Sequence, residues 1–226
     1  MERTPESIAE LVADLQHPDE FIRSQAAFTL GVLGAPAVPA LLPLLRSPQR
    51  EIRLRAAWTL GVIGLPAVPA LLQLLEQPFR QLRIEAIRIL GVIGAARAIN
   101  HLFVALTDFD PEIAARAARS LGKIGDPRAF HPLLLALAHP DADVRYEAAM
   151  ALANLHQADA VAALEDALAS EHEETSWGAS VADAMRRAIV EAATPRDPTF
   201  TDEMAKLGAM LDSIKPPEHG HGEEAA

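Results

Sequence analysis

An all-α solenoid of six antiparallel helix pairs, with an extra C-terminal amphipathic helix, is the fold that three observations predict. An apolar stripe with i, i+3, i+4, i+7 spacing recurs six times, at intervals of 30–31 residues. The first four units have glycine at the same register, Gly34, Gly64, Gly94 and Gly125, where a second helix must stop. Half of the 226 residues are apolar but only ten are aromatic, so small aliphatic side chains suited to close helix packing carry the core.

In chain order, the first helices are marked by Ile8-Leu11-Val12-Leu15, Val38-Leu41-Leu42-Leu45, Val68-Leu71-Leu72-Leu75, Ile99-Leu102-Phe103-Leu106, Phe130-Leu133-Leu134-Leu137 and Val161-Leu164-Glu165-Leu168. Glu165 is the one polar interruption. A second stripe follows in each unit, Ile52, Ala56, Leu60 and Ile63 in unit 2 and Leu82, Ala86, Leu90 and Ile93 in unit 3. Asp19, Asp110 and Asp141 stand where these second helices should start, and Pro18, Pro48, Pro78 and Pro140 fall in the turn before them. The units divide at approximately 6–34, 35–64, 65–94, 95–125, 126–156 and 157–193. In the sixth, the stripe shifts to Trp177, Val181, Met185, Ala188 and Ile189. Pro195 and Pro198 predict a linker over 194–200. Met204, Leu207, Met210, Leu211 and Ile214 predict a capping or docking helix over 201–214, and 215–226 reads as a disordered acidic tail.

Two uncharged stretches, 24–45 and 56–75, have the length of a membrane span. Each is interrupted by a Gly-x-x-Gly pair followed by prolines, so each is read as two short helices joined by a turn, and no membrane span is expected. The N-terminus lacks the basic-then-apolar order of a signal peptide, and a cytoplasmic location is expected. The absence of cysteine excludes a disulfide scaffold, a zinc ribbon and a thiol nucleophile.

The text Ile52-Arg53-x-x-Ala56-Ala57-x-Thr59-Leu60-Gly61-x-Ile63-Gly64, echoed by Val144-Arg145-x-x-Ala148-Ala149-x-Ala151-Leu152, resembles the short HEAT-like repeats named after phycobilisome lyases. The resemblance covers about 6–193. It implies the solenoid, but it names no single function, since that family holds chromophore lyases, iron–sulfur assembly partners, hydroxylases and adaptors. The HEAT-like hydroxylases hold a di-iron centre with several His-Glu pairs; here the pair occurs once, at His172-Glu173. No cofactor or metal is therefore expected. His17-Pro18-Asp19 and His139-Pro140-Asp141 read as equivalent turns, and no Gly-x-x-Gly is followed by the Lys-Ser/Thr of a phosphate loop.

On a helical wheel, the faces of the second helices turned away from the core carry Phe28 and Val32 in unit 1, and Leu54, Arg55, Trp58 and Val62 in unit 2. Ile84, Arg88 and Val92 follow in unit 3, Arg119 in unit 4, and Tyr146 and Met150 in unit 5. In solenoids of this kind the second helices line the concave side. An outward strip of Trp, Phe, Tyr and aliphatic residues then predicts a protein-docking surface. A second column, Arg23, Arg53, Arg83 and Arg145, predicts hydrogen bonds between repeats, to backbone or Asp. Charge is polarised: residues 46–97 carry a net +5, and 131–226 a net −12. An acidic or amphipathic protein partner is expected. Nucleic acid is not, given a chain charge of −11. The sequence thus reads as a non-enzymatic interaction scaffold. The family resemblance implies an alternative, a bilin lyase or chaperone-like subunit that would bind a bilin or a phycobiliprotein.

Overall fold

The computed structural model describes residues 5–194, and these form twelve α-helices in six antiparallel pairs. The pairs are α1 (Pro5–Asp14) with α2 (Glu20–Leu33), α3 (Val38–Leu41) with α4 (Arg50–Ile63), and α5 (Val68–Leu75) with α6 (Arg80–Ile93). Then come α7 (Ile99–Leu106) with α8 (Pro111–Ile124), α9 (Phe130–Ala136) with α10 (Ala142–Leu155), and α11 (Ala160–Leu168) with α12 (Val181–Ala193). Residues 5–193 fall within one compact unit. The expected helix over 201–214 and the acidic tail lie outside the described residues.

The punctuation of the sequence produces these boundaries. Asp19, Asp110 and Asp141 accept hydrogen bonds from the backbone N–H groups of Phe21, Glu112 and Asp143, which tie down the first turns of α2, α8 and α10. Gly34, Gly64, Gly94 and Gly125 end α2, α4, α6 and α8 with φ between +69° and +72°, a region costly for any other residue. His156 takes the same place after α10 at φ +49°. A single 3-10 turn then starts each of the next four units, at Ala35–Ala37, Leu65–Ala67, Ala96–Ala98 and Pro127–Ala129. The first helix of unit 2 is shortened to Val38–Leu41 because Pro43 lacks the amide that would extend it, and the chain continues as a 3-10 turn over Leu42–Arg46.

The recurring leucines form the core. Leu41, Leu71, Leu102, Leu133 and Leu164 from the first helices, and Leu30, Leu60, Leu90, Leu121 and Leu152 from the second, have no exposed surface. The two uncharged stretches are helix pairs bent by 119° and 113°, and among the described residues no single helix is long and apolar enough to cross a membrane. Glu165, the polar interruption of the sixth first-helix stripe, is exposed.

Successive second helices stack directly on one another, whereas first helices touch their counterparts far less, so the array curves toward the second helices. Small residues set the spacing. A Cβ added at Gly91 would lie 2.9 Å from the Ser120 Cα, and one at Gly122 would lie 2.7 Å from the Ala151 Cα. The Ser120 hydroxyl also donates to the Ile87 carbonyl at 3.0 Å, so α6, α8 and α10 are close-stacked. Between α4 and α6 the approach is looser: a Cβ on Gly61 would meet only the Val92 side chain, at 3.6 Å.

The arginine column departs from its expected role. Arg23, Arg53 and Arg145 each donate from Nη1 to carbonyls of the turn that precedes their own helix: His17 and Pro18, Ser47 and Pro48, and His139 and Pro140. These bonds lie within a repeat. Unit 4 has Ala114 in this register, and there Arg83 reaches forward from unit 3 to Asp108 at 2.5 Å. Arg145 also reaches forward, to Glu171 at 2.6 Å and Glu173 at 2.9 Å. Of the four arginines in this column, Arg83 and Arg145 bridge repeats.

The sixth unit corrects the predicted stripe. Trp177 is not on a helix; it sits in the 169–180 connection, where Glu174 and Ser180 form an isolated β-bridge, and α12 begins at Val181. Ser176 fixes this connection to α10 by donating its N–H and hydroxyl to Asp143, each at 2.6 Å. Burial raises the affinity of the Glu171 carboxyl for its proton, but Arg145 and the Glu173 N–H outweigh it and leave its pKa below the ordinary glutamate value. A folded pKa below the unfolded one stabilises the protein fully above the unfolded value, about 4.3 for glutamate, and the gain is lost as pH falls through the folded value. The melting temperature is therefore expected to drop on acidification below about pH 4.3. In Glu171→Gln it should start lower at neutral pH and change less with pH, as calorimetry across that range would show.

Candidate protein-interaction surface

In the first three repeats most of the residues expected on the outward strip are exposed. On α2, Phe28 is 64% exposed and Val32 72%; on α4, Trp58 is 57% exposed, with Leu54 and Val62 also open; on α6, Val92 is exposed. The wheel position explains this: each of these side chains lies opposite the leucine of its own helix, and curvature leaves the inner side uncovered. Trp58 stands over a groove of about 540 Å³ between α2, α4 and α6, lined by Ala27, Leu54 and Trp58, the guanidinium groups of Arg23, Arg55 and Arg88, and Glu20 and Ser24.

Ile84 is a correction. It was expected on the outward strip, but it is only 5% exposed. It shares its register with Leu54 and Ala115. Ala115 is also buried, because α6 and α8 stack closely, whereas Leu54 stays open where α4 and α6 stand further apart. Tyr146 and Met150 are half-buried rather than free. The Tyr146 ring meets Trp177 edge to face, with centroids 5.6 Å apart, and its hydroxyl accepts from Arg187 at 3.3 Å. Trp177, outside the predicted strip, takes over as the exposed aromatic of that end.

The arginines of the strip divide into two kinds. Arg88 lies 2.9 Å from Glu85 on its own helix, and Arg119 pairs across repeats with Glu147, its Nε donating at 2.9 Å. Both carboxylates are buried. Arg55 instead donates to the Leu15 carbonyl at 3.0 Å, a bond that ties α4 to the end of α1. Sequence reasoning missed Glu85 and Glu147, although a signal existed: they stand 62 residues apart, two repeats, in a register where Arg55 and Arg116 alternate with them. Beyond repeat 3 the face becomes a groove of about 470 Å³ in which Asp110, Glu112, Asp141, Asp143 and Glu147 outnumber Arg80, Arg116 and Arg119. The inner face is therefore apolar and arginine-bearing over repeats 1–3, and richer in carboxylates than in guanidinium groups over repeats 4 and 5.

Phenylalanines also stand exposed at the turns before second helices, at Phe21, Phe79 and Phe109, with Arg46 4.6 Å above the Phe79 ring. They escaped the wheel analysis because they lie at or before helix starts, where helical periodicity carries no signal. Among the described residues, no group of three or more His, Asp or Glu side chains is placed to hold a metal ion.

A model of HEAT repeats matches residues 8–77, 68–134 and 130–196. The chain belongs to the HEAT-repeat family. Among solved structures it is similar to a chain from the complex of CpcE and CpcF of phycocyanin lyase from Nostoc sp. PCC7120. The match has 26% identity and a TM-score of 0.59, and covers 70% of this chain and 99% of that one, which supports the phycobilisome-lyase-like kinship of this HEAT protein. A designed armadillo repeat protein in complex with the peptide (KR)4 has 20% identity and a TM-score of 0.50 over 82% of this chain and 99% of that one. A chain from a complex of Kap95p with RanGDP has 15% identity and a TM-score of 0.57 over 93% of this chain and 34% of that one. The last two carry the fold alone. No curated protein matches the sequence at significance.

Proposed function

We propose that this HEAT protein is a non-enzymatic scaffold that docks a protein partner on the inner face of repeats 1–3. One observation carries the reading: Phe28, Val32, Trp58, Val62 and Val92 lie on three successive second helices, each more than 40% exposed, and Trp58 lines a groove that also holds Arg23, Arg55 and Arg88. Such a run of large apolar side chains costs free energy in water and gains it on contact with a complementary surface, and Trp with Arg is the composition of interaction hot spots. Arg119, Tyr146 and Met150 lie further along the same face but are already engaged by Glu147, by Trp177 or by the core, so they contribute at the margin.

The similarity to a chain of a phycocyanin lyase complex favours a second reading, a bilin lyase or chaperone-like subunit whose partner is another lyase subunit or a phycobiliprotein. Two measurements separate them. Affinity capture on the immobilised full chain, with source-organism extract, is expected to retain a protein partner that a Phe28→Ser/Val62→Ser double variant releases at unchanged helicity. Retention by the double variant would overturn the scaffold reading. Addition of a bilin is expected to leave the pigment's absorption unchanged; a shifted band would favour the lyase reading.

A further inference from the structure

Resting on that docking face, we propose that the partner segment seated at Trp58 is an acidic peptide with apolar anchors, its carboxylates received by Arg23 and Arg55. The groove is lined by three guanidinium groups against one carboxylate, Glu20. Arg88 is paired with Glu85, and elsewhere Arg80, Arg83, Arg119 and Arg145 are all matched to carboxylates. Arg23 and Arg55 differ. Among the described residues neither has an ion pair; their Nη1 groups donate to the carbonyls of His17, Pro18 and Leu15. Carbonyl partners fix the position of a guanidinium without cancelling its charge, and each guanidinium has five donors, so several remain for an incoming carboxylate. Two arginines are thus held in place with their charge uncompensated, beside the open faces of Leu54 and Trp58.

The same arrangement sets the spacing and extent of the segment. Packed helices lie about 8–10 Å apart, which a polyproline-II segment covers in one turn of three residues, so anchors at i and i+3 fall on one side and reach the Phe28 and Trp58 repeats in turn. Past repeat 3 the groove holds five carboxylates against Arg80, Arg116 and Arg119, and this net negative charge disfavours further acidic residues. The acidic stretch is therefore confined to repeats 1–3. A long polyanion such as nucleic acid fits poorly, because its charge does not stop there and its backbone offers Trp58 and Phe28 no aliphatic anchor.

Fluorescence anisotropy at low salt with two labelled synthetic peptides tests this. Both carry Leu and Phe at every third position; one has Glu between them and the other Lys. The full chain is expected to bind the Glu peptide at least about tenfold more tightly than the Lys peptide. Arg55→Gln and Arg23→Gln should each erase most of that preference, while Arg97→Gln, an exposed charge on another face, keeps it. Arg55→Lys, which retains charge but loses the forked donor, should give an intermediate value and guards against a folding defect. Equal affinity for the two peptides, binding of neither, or full preference in Arg55→Gln would overturn the proposal. If the preference is absent but partner capture still depends on the exposed apolar strip, only the acidic-peptide assignment falls. If capture is indifferent to the strip, the docking face falls with it.

Discussion

Trp58→Ala is expected to weaken partner binding by about 30-fold or more while leaving the melting temperature close to that of the wild type. The indole is 57% exposed and stands at the centre of the groove, flanked by Leu54, Arg55 and Arg88, with Phe28 and Val62 exposed on the same face. Central aromatic anchors surrounded by water-excluding neighbours lose about 2 kcal/mol or more of binding free energy on truncation to alanine. Little of the ring contributes to the core, so the cost to stability should be about 1 kcal/mol or less. Titration calorimetry with the captured partner, together with a thermal melt, checks both halves. A variant that unfolds would show that the ring is structural, and one that binds normally would remove the groove from the interface. Arg88→Glu is a poorer probe of the same surface. It would set a second carboxylate against the buried Glu85 and remove the guanidinium that neutralises it, so loss of binding could not be separated from loss of fold.

Leu60→Ala, two residues along the same helix, is expected to do the reverse. Leu60 has no exposed surface and belongs to the continuous core formed by the repeats. Removing its branched end leaves a cavity that close-stacked helices cannot collapse, at a cost of about 2–5 kcal/mol. In a solenoid each repeat is stabilised through its neighbours, so the loss at repeat 2 should be transmitted to repeats 1 and 3 and appear as a lower or broadened urea transition. At temperatures where the variant remains folded, its affinity for the partner should match the wild type. A loss below about 1 kcal/mol would mean that the position is less tightly packed than its burial indicates.

These two residues mark what was legible in the sequence. Periodicity assigned Leu60 to the core and Trp58 to the outside, and the 30–31 residue repeat, the glycine stops and the aspartate caps placed the helices. These signals are local: they depend on the geometry of one helix or one turn. Ile84 shows where local geometry ends. It occupies the same wheel position as Leu54, yet one is buried and the other exposed, because the separation of neighbouring repeats differs between them. Trp177 fails for a related reason, since a periodic stripe can be continued backward into a connection that is not helical.

By itself the amino-acid sequence determined the repeat, the class of fold, the core leucines and the identity of the outward residues, because each follows from hydrogen-bond geometry and the burial of apolar surface within 30 residues. Only the tertiary structure decided which outward residues remain available. Glu85 and Glu147 neutralise Arg88 and Arg119, Trp177 half-covers Tyr146, and Arg23 and Arg55 are pinned by carbonyls with their charge unmatched. Most of these pairings join residues of different repeats, and the spacing and stagger of the stacked helices select them. A single-helix pattern does not contain that information.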